Sequence, residues 1–134
     1  MILSEFIKQH DIDFSYNRVG AAFIPEMEKL VETKIGNQLC AYITDYGYLG
    51  CEHVELFGVN SIQREKSDMI TRTIFLHRHF EQTMGMIALE DRGDGDFMLI
   101  DSDDNVYRFV PGNGTLSETN LKLNGYIIAR FARI

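Results

Sequence analysis

The sequence predicts an α+β fold: a single domain over residues 1–134, with a central, largely antiparallel sheet flanked by helices. Three observations predict it. Apolar residues recur at helical spacing in the first third of the chain and again near its end. Between about residues 84 and 110 the pattern changes to short apolar runs separated by Gly, Asp and Ser, as in strands joined by tight turns. No helical pattern separates those runs, so hairpins rather than crossover helices join them. At 134 residues the chain can bury one sizeable core, and 45% hydrophobic with 25% charged residues is ordinary for a globular protein.

Taken in order, residues 2–9 carry Ile2, Leu3, Phe6 and Ile7 as one apolar stripe of a short helix. Asp11 to Gly20 reads as a connection. Pro25 stands at a natural first helical position, with Glu26 and Glu28 in the first turn. Ile24, Met27, Leu30, Val31 and Ile35 mark one face of a helix near 24–35, stopped by Gly36. A second helix near 38–46 places Leu39, Tyr42, Ile43 and Tyr46 on one side and ends at Gly47.

Residues 53–58 read as a strand. Ser67 is a natural N-cap for a helix running to about Phe80, with Met69, Ile70, Thr73, Ile74 and His77 on one face. Three strands follow, near 85–90, 96–101 and 105–110, with Gly93-Asp94-Gly95 and Ser102-Asp103-Asp104 as the turns between them. Pro111-Gly112-Asn113-Gly114 breaks the last strand. Ser117 caps a closing helix inside 117–132, with Leu121, Ile127, Ile128, Phe131 and Ile134 as apolar positions. Gly125 weakens that helix by roughly 1 kcal/mol relative to Ala.

Seven carboxylates lie between Glu90 and Asp104, against the single base Arg92. A calcium loop of the EF-hand type needs oxygens at positions 1, 3 and 5, Gly at 6 and Glu at 12. Counted from Asp101, Val106 and Gly112 occupy those last two positions, so the pattern fails. Acidic hairpin turns account for the segment without a metal. His77 and His79 lie two apart, which on a helix sends them to different sides. On a strand they would share a side and could chelate, but no third ligand is identifiable, and one packed with one solvated His is the expectation. Cys40 and Cys51 form no CxxC pair and read as reduced, with Cys40 packed as a small hydrophobe. No nucleophile elbow, zinc-hydrolase motif or phosphate-binding loop occurs. The chain therefore reads as no enzyme, with no cofactor. A net charge of −7 argues against direct binding of nucleic acid and permits a basic protein partner. The acids expected to be exposed, and so candidates to meet that partner, are Asp91, Asp94, Asp96, Asp103 and Asp104. Tyr48, beyond the Gly47 break, joins them as a candidate interface aromatic. Asp101 reads as structural, accepting backbone N–H groups in the turn after it.

The order of motifs resembles the SUKH superfamily over about residues 20–134. The residues that carry the likeness are Ile24-Pro25-Glu26-Met27-Glu28-Lys29-Leu30, Ile35-Gly36, Leu39, Tyr42-Ile43 and Tyr46-Gly47. Glu55-Leu56-Phe57-Gly58-Val59 is similar to the family's Glu-aliphatic-aromatic-Gly strand. Gly93-Asp94-Gly95-Asp96-Phe97 with Ile100-Asp101 is similar to its strand-turn-strand signature. Cys40 stands where the family often has Pro, and Trp is absent. The resemblance implies an immunity protein that binds and neutralises a cognate polymorphic or contact-dependent bacterial toxin, often a nuclease. The alternative it implies is a non-catalytic scaffold or regulatory interaction domain, as in control of cell-wall synthesis. With no basic-then-apolar leader at Met1–Lys8 and no membrane-length apolar run, a cytoplasmic location is the expectation.

Overall fold

The computed structural model describes residues 2–14, 19–59 and 68–133. In chain order the elements are α1 (Leu3–Gln9), β1 (Asp13–Phe14), α2 (Ile24–Val31), α3 (Asn37–Asp45), β2 (Leu49–Cys51), β3 (Val54–Leu56), α4 (Met69–His79), β4 (Ile87–Asp91), β5 (Phe97–Ile100), β6 (Asn105–Val110), β7 (Thr115–Lys122) and α5 (Leu123–Phe131). One-turn 3₁₀ helices precede α2 and follow α4. The seven strands form one sheet in sequence order, each antiparallel to the next. This is the α+β fold that the periodicities predicted. Among the described residues no helix is long and apolar enough to cross a membrane.

Helices lie on both faces of the sheet. Glu90 on β4 pairs with Met98 on β5, and the same face carries the contacts to α5 through Tyr126 and Arg130. Phe109 points the other way and meets Phe80, at the end of α4, edge-on at 5.2 Å. Because both faces are covered, Ile87, Ala88, Leu89 and Glu90 are all buried, so β4 shows no simple alternation. Thr73 on α4 is buried but satisfied, its hydroxyl oxygen accepting the Ala88 N–H at 2.9 Å.

Several expectations are corrected. α2 stops at Val31, because Glu32 turns left-handed (φ 52°) and Glu28 Oε2 accepts the Ile35 N–H at 2.8 Å. Leu30, expected on the apolar face of this helix, is 53% exposed. Ser67 lies outside the described residues, as does Ile134, and the cap of α4 is Asp68, which accepts the Thr71 N–H at 2.8 Å. Asp13 and Phe14 form a short strand inside the expected connection. The largest difference is at Ser117, which does not cap a helix but lies within β7. Thr119 explains part of this: its hydroxyl donates to the Val106 carbonyl at 2.7 Å and accepts the Leu121 N–H at 3.2 Å. Side-chain bonds of this kind hold backbone away from helix. Leu121, expected on the apolar face of that helix, is on the strand and 38% exposed.

Candidate functional site

The acidic segment from Glu90 to Asp104 does not form one face. β5 is four residues long and runs through its middle, so the β4–β5 and β5–β6 turns stand at opposite ends of the sheet. The interval from Asp96 to Asp101 spans about 17 Å of extended chain.

At one end, Asp91 and Asp94 are exposed. Each side chain folds back on its own turn: Asp91 Oδ1 accepts the Gly93 N–H at 2.9 Å, and Asp94 Oδ1 accepts the Asp96 N–H at 3.0 Å. Such turns fix the carboxylates without a tertiary partner. The Asp96 N–H beside it, helped by Arg92 and Arg108, holds the Asp94 carboxyl below the usual carboxylate range. The register also brings the β2–β3 turn, with exposed Glu52, and the β6–β7 turn to this end. Asp96, expected to be exposed, is instead 8% exposed. It points along the sheet to Arg108, whose Nε donates to Asp96 Oδ2 at 2.7 Å and whose Nη2 donates to the same oxygen. This ion pair raises the Arg108 pKa further.

At the other end Asp104, also expected to be exposed, is 6% exposed. Its carboxylate accepts the Gln38 N–H at 2.9 Å and the Leu39 N–H at 3.0 Å. α3 begins after Gly36, which has no side chain to cap it, and its first N–H groups need acceptors. Asp104 supplies them from across the molecule. A Cβ on Gly36 would lie 2.4 Å from Asp104 Oδ1, so only glycine admits the carboxylate. The Asp104 carbonyl in turn accepts the Leu123 N–H at 3.0 Å, and Gln38 Oε1 accepts the Asn124 N–H at 2.9 Å. The β5–β6 turn thus joins the starts of α3 and α5. Asp101 holds the turn itself, Oδ1 accepting the Asp103 and Asn105 N–H groups, both at 2.9 Å. Burial pushes the Asp101 carboxyl up, but bonds from Asn105, Asp103 and Tyr107 prevail and hold it below the usual range. Asp103 is exposed, as expected. It borders a polar groove of about 760 Å³ that also contains Lys34 and Lys122, and Lys122 Nζ donates to its carbonyl at 2.6 Å.

Tyr48 is half-buried rather than exposed, because its ring lies over Gly50 and its hydroxyl donates to Glu55 Oε2 at 2.6 Å. Glu90, counted in the sequence only as one more acid, is 1% exposed. It accepts the Tyr126 hydroxyl and two donors of Arg130, with Nη2–Oε2 at 2.8 Å. Burial, reinforced by this carboxylate, pushes the Tyr126 phenol far up, so it stays a donor. His77 Nε2 lies 2.7 Å from the Met86 carbonyl, while His79 is exposed against Phe75. The free thiols Cys40 and Cys51 are both half-buried. Among the described residues no group of three His, Cys, Asp or Glu side chains converges.

The sequence showed the exposed acids but not the Glu90–Tyr126–Arg130 cluster or the Gly36–Asp104 contact. One signal for the latter was available: a helix starting after glycine, with no local Ser, Thr or Asp, requires a cap from elsewhere. No model of a known protein family matches the chain, and no curated protein matches it.

Proposed function

We propose that the protein is an immunity protein of the SUKH kind, which neutralises a bacterial toxin domain by binding it and performs no catalysis of its own. The toxin is basic, as a nuclease built to hold phosphates would be, and the encounter takes place in the cytoplasm. The docking surface is the end of the sheet that carries Glu52, Asp91 and Asp94. The observation that supports this reading is the exposed pair Asp91 and Asp94, held by their own turns in a chain of net charge −7. Carboxylates already fixed lose little freedom on binding, and an acidic rim steers a cationic partner. The motif order from Ile24 to Phe131 supports the family.

The test is co-expression with the product of the adjacent gene, followed by co-purification. The expected result is relief of that product's toxicity together with a stable complex. A complex with a harmless partner would favour the scaffold reading. No complex and no relief would overturn the proposal.

A further inference from the structure

The sequence contains two Asn-Gly pairs, Asn113-Gly114 and Asn124-Gly125. Asn-Gly is chemically labile because glycine offers no side chain to hinder attack by its own amide nitrogen on the neighbouring carboxamide. The fold treats the two pairs differently. Asn113 is exposed at the tip of the β6–β7 hairpin, and Gly114 follows it in a left-handed conformation (φ 71°). The Asn113 side chain lies back over the next residues, its Oδ1 accepting the Thr115 N–H at 3.0 Å. That N–H points at the oxygen on which negative charge develops when the carboxamide carbon is attacked. The Gly114 N–H donates to the Val110 carbonyl at 2.8 Å. This bond at a hairpin tip has to open first, and such sites open at low cost.

Asn124 is the second residue of α5, and its N–H is held by Gln38 Oε1 at 2.9 Å. The helical backbone there keeps the Gly125 nitrogen out of reach of the Asn124 side chain, and reaching it requires the start of α5 to unfold. The Asp94-Gly95 pair carries an ionised carboxylate, a poor electrophile.

We infer that Asn113 is a spontaneous modification site of the folded protein, converted through a succinimide to aspartate and isoaspartate, while Asn124 is protected. The Gly114 nitrogen gives up its proton and bonds to Asn113 Cγ. The Cγ–Nδ2 bond breaks and ammonia leaves. Water then opens the five-membered imide at either carbonyl, giving aspartate or isoaspartate. The net change is amide plus water to acid plus ammonia, and it needs no other reactant. The product adds one negative charge to the net −7. The strand register puts that charge at the end of the sheet that holds Asp91 and Asp94.

The experiment incubates the folded protein in mildly alkaline buffer and follows both Asn-Gly peptides by mass spectrometry, with isoaspartyl methyltransferase labelling as a second readout. Asn113 should convert at least about tenfold faster than Asn124, as cheap local opening at the hairpin tip implies, and N113Q should remove most of the label. In urea, where the local structure is gone, the two sites should converge. Equal rates in the folded protein, or conversion of Asn113 only in urea, would overturn the inference.

Discussion

The two acidic turns that flank β5 are alike in composition and opposite in use. In the β4–β5 turn, among the described residues, Asp91 and Asp94 hydrogen-bond only to backbone of their own turn. In the β5–β6 turn, Asp104 reaches 66 residues back to cap α3, and its carbonyl takes the first N–H of α5. The same side chain can therefore be a surface charge or part of the framework, according to whether an uncapped helix end lies within reach. Glu90, at the start of the segment, extends the contrast, because α5 brings Arg130 and Tyr126 to it.

Variants can break this comparison. The largest effect is expected for R130M, which leaves the Glu90 carboxylate buried with, among the described residues, the Tyr126 hydroxyl as its one remaining donor. Stability should fall by about 3–5 kcal/mol, as when one partner of a buried pair is removed, read from urea denaturation. D104A comes next. It leaves the Gln38 and Leu39 N–H groups without acceptors, and loss of a cap together with buried unsatisfied donors costs about 3 kcal/mol. G36A should destabilise in the same direction by pushing Asp104 away. The double variant should lose less than the sum, since both changes remove one contact.

A smaller effect is expected from pH. The Asp101 carboxyl lies below its usual value in the folded chain. Its contribution to stability is therefore present above the unfolded carboxylate range, about pH 4, and is lost as the pH falls through the folded value. In an acid titration followed by circular dichroism, D101N should be less stable than the parent at neutral pH. Its stability should then decline less steeply on acidification.

The sequence made the β4–β6 meander legible because its turns are local: Gly93-Asp94-Gly95 and Ser102-Asp103-Asp104 carry their own signals. The helical faces around Met27, Leu39 and Phe131 were legible for the same reason, since periodicity within one element marks them. β7 was not. Leu116 and Ser117 are strand residues because they pair with Phe109 and Arg108, and that partner is not visible in a ten-residue window. Exposure was misjudged at Asp96 and Asp104 for a related reason. Arg108 and the start of α3 are 12 and 66 residues away, and nothing near either acid announces them. Asp91, Asp94 and Asp103 were judged correctly because, among the described residues, no side chain or helix start distant in sequence hydrogen-bonds to their carboxylates.

The smallest effect on stability is expected at the rim. D91N/D94N should leave the urea midpoint in place, as surface changes away from tertiary contacts do. The same variant tests whether the β4–β5 turn meets the proposed partner while the β5–β6 turn builds the fold. Association with the product of the adjacent gene is measured by stopped flow at low and moderate salt for the parent, D91N/D94N and D103N. Association should be slower and its salt dependence flatter for D91N/D94N, with D103N indistinguishable from the parent. Slowing by D103N with none by D91N/D94N, in variants that unfold at the parental urea midpoint, would contradict this division of roles.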